Sequence, residues 1–503
     1  MSRVSSSSPV DSGATHSSAA AGGKLGFSTL FTYSIPAMGL GFMYYMAVLY
    51  LMKFSTDVLL IAPAAVSIIL GISRVLDAVS DPLVGYLSDR TRSRMGRRRP
   101  WLVFSAVPIA IICIMMWAPP AALEGTGLTL WMGVSIIGFY AVLTLVNVPH
   151  QSWGAELSPD YHERTRVFGM RLLLLNLGAF MALGCLLLVA GADDERTLVF
   201  ILVTIIATCT AGAVIWSAMR LRERVELQGR GPQAVLTAYR DIMVNPHARL
   251  LLFVFFIESL GAATIGVLTA YMAQYVIGDI SFPLVVLTYM VAQTASVPVW
   301  TPLSRLFGKK RLWLFSMLAT SVGFGLFFLV GPGDIVQTYA LAGFLGAAAG
   351  CGNVIAPSVQ SDIVDWDELQ TGERKEGGYF AAFSFMQKSA AGVTIMLTGV
   401  VLQFAGYEPN VDQTESAQLA IRSLYALFPL VCYLIGAVMF MRFELGEAEH
   451  EDVQRQLEAR RAAERVAAGL IRPGPDGPPA SRPPPPVPGR RRRARPASRG
   501  RPD

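Results

Sequence analysis

The feature that most constrains this chain is a series of about twelve apolar segments, each near the ~20 residues that a helix needs to cross a bilayer. Only 16% of the residues are charged, against about 25% in soluble domains. Since lipid offers no partner for backbone polar groups, such segments favour helices. We therefore predict an all-α polytopic membrane protein with twelve transmembrane helices. The segments cover 27–54, 61–87, 101–118, 128–154, 167–190, 197–219, 249–276, 283–304, 311–331, 337–360, 378–405 and 419–442.

The loops between these segments alternate in charge. The Arg- and Lys-rich loops lie near 88–100, 158–166, 220–248, 305–311 and 362–377. The short, acidic or neutral loops lie near 119–127, 191–196, 277–282, 332–336 and 406–418. Because basic loops stay in the cytoplasm, this pattern predicts a multi-pass protein of the cell (inner or plasma) membrane with both termini cytoplasmic.

The longest internal loop divides the chain into two sets of six segments. We predict an N-terminal bundle over 25–219, a central cytoplasmic loop over 220–248 and a C-terminal bundle over 249–443. A disordered polar lead occupies 1–24, without the apolar region and cleavage site of a signal peptide. Residues 444–503 begin as a polar helix and continue as a disordered Pro- and Arg-rich tail, which lacks the apolar surface to fold.

Composition also narrows the classes of function. No GxSxG, HExxH or phosphate-binding loop occurs in a suitable setting, so we expect neither an enzyme nor a cofactor. Much of the net charge of +6 comes from the Arg-rich tail, so a nucleic-acid partner is not indicated. The cysteines fall in apolar segments without CxxC spacing and are predicted to be core residues. They are Cys113, Cys185, Cys209, Cys351 and Cys432.

Charged side chains inside the second apolar segment mark a candidate site. Arg74, Asp77 and Asp81 are spaced i, i+3 and i+7 and therefore share one face of a helix. Each such charge costs roughly 2.5–3.5 kcal/mol on insertion scales, so it indicates function. Two carboxylates one turn apart suit Na⁺, which prefers oxygen ligands, or a proton. The alternative is an Arg–Asp pair that only holds helices together.

These residues begin a longer pattern that continues in the second half of the chain. Residues 77–100 read DAVSDPLVGYLSDRTRSRMGRRRP. The second half adds Asp362-x-x-Asp365-x-x-Glu368, Arg374-x-Glu376, Lys388 and Gly406-Tyr407-x-Pro409-Asn410. The pattern, over roughly 25–445, resembles the glycoside–pentoside–hexuronide:cation symporters, typified by the melibiose carrier, in the major facilitator superfamily. The resemblance implies two six-helix bundles around a central cavity and transport coupled to Na⁺ or H⁺.

The resemblance also implies cation ligands. Asp77 and Asp81 match the family's cation-site carboxylates and are the expected Na⁺ ligands. Thr144 is a further oxygen, unless its hydroxyl bonds its own helix. Asn147 stands where the family has an acid. An amide can coordinate Na⁺ but cannot carry a proton, so the choice between Na⁺ and H⁺ stays open.

Further residues are candidates for solute binding and coupling. Lys388 matches the family's mid-membrane lysine and needs an anionic partner, Asp77 or Asp81, with which a cation would compete. Arg171 resembles the family's substrate-contacting arginine, or else is a topology charge near a helix end. The remaining candidates are Arg74, Gln151 and Glu258.

Two departures from the family concern the solute. The family's acid in the first segment is absent, and Asn147 replaces the acid in the fourth. Both acids that would bind sugar hydroxyls are therefore missing, so the solute need not be a simple galactoside. An anionic, aromatic or more apolar solute would suit Arg171 and Lys388. Glu258 either lines the cavity or hydrogen-bonds a neighbouring helix.

Charges at the predicted cytoplasmic ends form a candidate gate. Salt bridges between the bundles would close this side, and exposed pairs worth only ~0–1 kcal/mol suit a gate that must open. The alternative is a set of solvated loops. The gate candidates are Asp89, Arg94, Arg97, Arg164, Arg166, Asp362, Asp365, Glu368, Arg374 and Glu376.

The sequence thus predicts a secondary active transporter that couples Na⁺ or H⁺ to symport of a small organic solute, a sugar or glycoside, by alternating access. It would act as a monomer in the lipid bilayer. The alternatives are proton-coupled efflux of an amphipathic compound and symport of a lysolipid-like anion on the same fold. A receptor that kept the fold without transport is disfavoured by the cost of the intramembrane charges.

Overall fold

The computed structural model describes residues 24–157, 161–221, 223, 242–278, 280–372 and 376–467, and these ranges contain helices but no strand. The helices follow the predicted apolar segments. They are α1 (Phe27–Leu49), α2 (Leu51–Val58), α3 (Pro63–Arg90), α4 (Arg99–Trp117), α5 (Gly125–Glu156), α6 (Tyr161–Val189), α7 (Glu195–Arg220), α8 (Pro246–Ile277), α9 (Phe282–Phe307), α10 (Lys309–Phe327), α11 (Ile335–Thr371), α12 (Glu376–Phe404), α13 (Glu415–Phe440) and α14 (Glu447–Ala467).

Ten helices of the described ranges are long and apolar enough to cross a membrane. The pair α1–α2, bent by 54°, makes an eleventh span. Helix α10 corresponds to the ninth predicted segment but opens with the basic residues Lys309 to Arg311, and it is not among these spans. The all-helical membrane fold is confirmed, whereas the count of twelve and the orientation of the termini stay predictions.

Two predicted loops are helical where the structure describes them. Helix α11 runs eleven residues past the predicted end at 360, to Thr371, so Asp362, Asp365 and Glu368 lie on a helix. Gly372 follows in the left-handed conformation (φ 76°), which is a common way to end a helix. Arg166 likewise lies within α6. Hydropathy marks the part of a helix that lies in lipid, and these helices continue as polar ends beyond it.

Three helix pairs bring the N-terminal half (27–220) against the C-terminal half (246–440): α3 with α12, α6 with α9, and α1 with α8. Helices α3 and α12 approach closely at Gly399, where an added Cβ would lie 2.1 Å from Ser67 Oγ and 2.5 Å from the Pro63 carbonyl oxygen. Small residues permit such close contact between membrane helices. The division into two six-helix bundles stays a prediction.

The described chain forms two compact units. Residues up to His450 form the first, and the second begins at Glu451. The predicted polar helix after the last apolar segment is present as α14. The polar lead before residue 24, the tail after 467 and most of the central loop lie outside the described residues.

Most cysteines are core residues, as predicted. Cys113, Cys351 and Cys432 are buried and Cys185 is half-buried, and all five thiols are free. The prediction is wrong for Cys209, which is exposed on α7. An apolar segment predicts that a residue lies in the membrane, but it does not distinguish a lipid-facing side from a protein-facing side.

Candidate functional site

The centre of the candidate site is an ion pair that joins the two halves. Lys388 Nζ on α12 lies 2.8 Å from Asp77 Oδ2 and 2.5 Å from Asp81 Oδ2 on α3. The hydroxyl of Thr144 on α5 donates to Asp77 Oδ1 at 2.5 Å, in place of the expected bond to its own helix. The lysine therefore bridges both carboxylates, and the cluster keeps one unit of negative charge.

The members of this cluster differ in exposure. The Asp77 side chain is 6% exposed, whereas the side chains of Asp81 and Lys388 are 26% and 27% exposed. Pro82, inside α3, lacks the N–H that would otherwise bond the carbonyl of Ala78. A cation that enters the site would meet Asp81 and Lys388 first, with Asp77 behind them.

Arg74 shares the helix of the two aspartates but has different partners. Its guanidinium carbon lies 4.2 Å from the ring centroid of Tyr140 and 5.3 Å from that of Tyr44. Among the described residues it forms no ion pair, and its Nε has no hydrogen-bond partner. The helical spacing was thus a sound guide to the pairing of Asp77 with Asp81 but not to the surroundings of Arg74, which are aromatic faces.

Arg171 lies ten residues into α6 and is 9% exposed, so the interpretation as a topology charge near a helix end is wrong. Its Nη2 donates to Asn147 Oδ1 at 2.6 Å, and its Nε lies 3.5 Å from His150 Nδ1. Gln151 Nε2 donates to the same Asn147 oxygen at 3.3 Å. Asn147 therefore bonds Arg171 and Gln151 in the described contacts, and its role as a cation ligand stays a prediction.

Glu258 lines a cavity of about 630 Å³ between helices of the C-terminal half, with α1 on one side. Trp313 Nε1 on α10 donates to Glu258 Oε1 at 3.3 Å. The two interpretations of this residue are therefore compatible, since one carboxylate oxygen bonds a neighbouring helix while the side chain faces the cavity.

The first cluster of gate candidates lies within the N-terminal half. Arg97 Nη2 is 2.6 Å and Arg98 Nη2 is 3.1 Å from Glu156 Oε1. Arg98 also pairs with Asp89, and Arg97 Nη1 lies 3.9 Å from Asp89 Oδ1. These contacts join the basic ends of α3, α4 and α5, so Arg97 and Asp89 do not pair across the halves in this conformation.

Glu223, from the chain after α7, holds the turn between α3 and α4. Its carboxylate accepts backbone N–H bonds from Arg97, Arg98 and Arg99 at 2.7, 2.8 and 2.6 Å. Gly96 precedes them at φ 108°, and a Cβ there would lie 2.6 Å from Glu223 Cδ. The glycine is therefore required twice, by its backbone conformation and by the carboxylate beside it.

The second cluster lies within the C-terminal half. Lys309 Nζ is 2.7 Å from Asp362 Oδ2, and His450 Nε2 is 3.4 Å from both Asp362 Oδ1 and Asp365 Oδ2. Elsewhere, Arg166 pairs with Glu163 three residues earlier.

The other gate candidates add no described contact across the halves. Arg94 is exposed. The side chains of Arg164, Arg374 and Glu376 lie outside the described residues. Pairing between the halves at the Arg- and Lys-rich side therefore stays a prediction, which concerns another conformation.

A polar cluster at the opposite side joins the halves, and the sequence analysis missed it. Asp57 accepts hydrogen bonds from Tyr275 and Tyr407, each at 2.6 Å, and its Oδ2 lies 2.6 Å from Lys53 Nζ. Asn410 Nδ2 donates to the Asp57 carbonyl at 2.7 Å. The available signals were a Lys–Asp pair at i, i+4 ending the first apolar segment, and the tyrosine and asparagine of the quoted GYxPN motif.

Comparison with known proteins decides the family. The profile of the family described as "MFS/sugar transport protein" matches residues 32–447. The chain belongs to this family. It is therefore a multi-pass membrane transporter and not an enzyme.

Individual relatives agree with this assignment. An uncharacterized symporter of Synechocystis is 28% identical over 87% of this chain and 97% of its own length. The isoprimeverose transporter of Lactiplantibacillus pentosus is 25% identical over 88% and 93%. The sodium-dependent lysophosphatidylcholine symporter 1-A of Danio rerio is 25% identical over 85% and 86%. The resemblance to the glycoside–pentoside–hexuronide:cation symporters is confirmed, and cation-coupled symport is the activity of these relatives.

Solved structures show the fold alone. The inward-open xylose transporter XylE of E. coli superposes with a TM-score of 0.61 at 14% identity, over 85% of this chain and 99% of that one. The nucleoside transporter NupG gives a TM-score of 0.64 at 14% identity, over 82% and 99%. The predicted major facilitator fold is confirmed.

Proposed function

We propose that this family member is a secondary active symporter that couples Na⁺ or H⁺ entry to uptake of a small organic solute, a sugar or glycoside, by alternating access. The observation that carries the proposal is the bridge from Lys388 on α12 to Asp77 and Asp81 on α3. It links a charged cluster inside the membrane to a contact between the two halves, which a transporter must remake in each cycle.

The coupling ion acts by competing with the lysine. Two carboxylates and the Thr144 hydroxyl offer oxygen ligands to Na⁺, and a proton on Asp81 would weaken the same bridge. A buried ion pair that loses one partner is destabilised by about 3–5 kcal/mol, because the remaining charge stays uncompensated. A bound cation replaces the ammonium and removes this cost. Ion binding thus frees α12 from α3 without leaving an unpaired carboxylate.

The contacts at the two ends of the helices support alternating access. The Asp57 cluster joins the halves at one side, while the described ion pairs at the Arg- and Lys-rich side stay within one half. We propose that the basic side is cytoplasmic and that the gate candidates there pair across the halves in the outward-facing state.

The test of the coupling site requires no known solute. The melting temperature of the purified protein is recorded in NaCl, LiCl and KCl at matched ionic strength, on both sides of neutral pH, for wild type and Asp81→Asn. A ligand of the folded state raises its stability by RT ln(1 + [L]/Kd). We expect a stabilisation by Na⁺ or Li⁺ that Asp81→Asn abolishes.

A pH-dependent stability without ion specificity, flattened in Asp81→Asn, would instead identify the proton as the coupling ion. If neither ions nor pH act through Asp81, the carboxylate pair is structural and the proposal is wrong.

A second candidate is symport of a lysolipid-like anion, which the Danio rerio relative favours. Proteoliposomes with an inward Na⁺ gradient separate the two, because radiolabelled methyl xyloside or lysophosphatidylcholine would accumulate. Solute that leaves the vesicles when the proton gradient is directed inward would indicate efflux instead.

A further inference from the structure

The cavity around Glu258 has the size and position of a solute site. Its volume of about 630 Å³ falls within the roughly 300–1,000 Å³ of sites for small organic ligands. Helices α8 to α13 of the C-terminal half line it, and Tyr45 on α1 lies on the side of the N-terminal half. The cavity therefore lies where the two halves meet.

The lining of this cavity carries one carboxylate and several amides. The polar groups include Glu258 on α8, Gln293 on α9, Asn353 on α11 and Gln387 on α12. Glu258 is the one charged residue that lines the cavity within the described part of the chain. An anionic solute would meet a carboxylate here without a compensating cation, so the lining disfavours it.

Several of these groups have hydrogen-bonding capacity left over. Glu258 accepts one bond from Trp313, and its Oε2 has no donor among the described residues. Asn353 and Gln387 are exposed to the cavity near the middle of their helices, with no hydrogen-bond partner among the described residues. Polar groups at this depth need partners. Amides both donate and accept, as hydroxyl groups do, whereas a cationic solute would use only the acceptors.

The basic residues that would attract an anion already have partners. Lys388 bridges Asp77 and Asp81, and Arg171 donates to Asn147 and His150. Neither lines this cavity. The expectation that these two residues favour an anionic solute is therefore not supported by their contacts.

Helix α12 connects the cavity to the cation cluster. Gln387 lines the cavity, and the next residue, Lys388, bonds the carboxylates of α3. Consecutive helical residues point about 100° apart, so one turn of α12 serves both sites. Movement of this turn on cation binding would reposition Gln387 relative to Glu258.

We propose that this cavity is the solute site and that it binds an uncharged polyhydroxylated solute, whose hydroxyls bond Glu258, Asn353 and Gln387. The carboxylate of Glu258 on α8 then takes the role for which the sequence has no acid in the first and fourth apolar segments. This inference rests on the proposed function and specifies its substrate class.

The test uses the full-length protein in detergent with saturating NaCl. The uncharged probes are methyl and p-nitrophenyl glycosides of xylose, glucose and galactose, with maltose and melibiose. Glucuronate, glucosamine and lysophosphatidylcholine provide the anionic, cationic and lipid comparisons. Binding is measured as the concentration dependence of the melting temperature. We expect at least one uncharged probe to bind and the charged probes not to bind.

The variants locate the site. Glu258→Gln keeps the size of the side chain and an acceptor for Trp313 but loses the charge, so the responding probe should bind about 10- to 100-fold more weakly. Gln387→Ala and Asn353→Ala should each weaken binding about 5- to 10-fold. Glu415→Gln, exposed at the start of α13, is the matched control and should bind the probe as wild type does.

Three outcomes would overturn the inference: no uncharged probe binds, charged probes bind instead, or Glu258→Gln binds the probe unchanged. The Na⁺ response through Asp81 separates this failure from failure of the proposed function. If Glu258→Gln keeps both the Na⁺ response and full probe binding, only the solute site is wrong. If wild type lacks any response through Asp81, the proposed function itself fails.

Discussion

At the scale of single residues, Thr144 is the neutral member of the cation cluster and distinguishes the two aspartates. Its hydroxyl donates to Asp77 and leaves Asp81 to Lys388. Asp77 therefore has a fixed orientation with or without a cation, whereas Asp81 changes partner when an ion replaces the ammonium. This difference explains why the more exposed carboxylate is the better target for a test of ion binding.

Thr144→Val should weaken cation binding. The change keeps the shape of the side chain but removes one oxygen and one hydrogen bond, worth about 1 kcal/mol, so the apparent Kd for the coupling ion should rise about fivefold. Thr144→Ser should bind the ion nearly as wild type does. The measurement is the Na⁺ concentration, or the pH, at half-maximal stabilisation.

Thr129→Val is the matched control, because Thr129 is partly exposed at the other end of α5 and its hydroxyl bonds its own helix. An equal effect of both valine variants would show that Thr144 acts through helix stability and not through the cation.

At the scale of elements, the turn between α3 and α4 is the most constrained connection that the structure describes. Three consecutive N–H groups share the Glu223 carboxylate, and a negative group at a helix N-terminus also interacts favourably with the helix dipole. The chain after α7 thereby fixes the start of α4.

Gly96→Ala should destabilise this turn more than the same change elsewhere. Gly96 has φ 108°, and a Cβ there would lie 2.6 Å from the carboxylate, whereas Gly125 has φ 52° and nothing within 4 Å of its Cβ direction. We expect Gly96→Ala to lower the free energy of unfolding by about 2–4 kcal/mol and Gly125→Ala by about 1 kcal/mol. Melting temperatures of the two variants give the comparison, and equal shifts would refute the steric part of the argument.

The helices show what a sequence can and cannot predict. Apolar length located nearly every helix, because the cost of an unpaired backbone in lipid does not depend on neighbours. It placed the end of α11 at 360 instead of Thr371, because polar residues continue a helix outside the membrane. Gly372 was the available stop signal.

The site divides in the same way. Asp77 and Asp81 pair on one helix, so their spacing was informative, and the family motif supplied Lys388. The partners of Arg74 and Arg171 come from other helices, and no spacing indicates them. Asp57 and Tyr407 are separated by 350 positions, so only the fold brings them together.

At the scale of the whole molecule, the Asp57 cluster holds the halves together at the side opposite the basic loops. Its carboxylate has two phenolic donors from the C-terminal half and the ammonium of Lys53 from its own half. Opening of this side requires the carboxylate to exchange the phenols for water.

Tyr407→Phe should shift the protein towards a conformation open at this side. Loss of one hydrogen bond to a charged group is worth about 1.5–3 kcal/mol, or roughly a 10- to 100-fold change in the ratio of the two states. Spin labels at Leu60→Cys and Val411→Cys, both exposed, in a cysteine-free background should report a larger population of long distances. Tyr339→Phe, on α11 outside this cluster, is the control, and an unchanged distribution in Tyr407→Phe would contradict the assignment.

The close contact at Gly399 limits how the halves can move. Because Ser67 and the Pro63 carbonyl lie against the glycine, a sliding motion of α12 along α3 would force side-chain atoms into the backbone. The Ala64 N–H also donates to Gln403 Oε1 at 3.1 Å, one turn further along α12. Rotation of one helix against the other about this contact meets no such obstacle. Gly399 therefore serves as a pivot, and Lys388, three turns away, moves as the end of a lever whose displacement the cation controls.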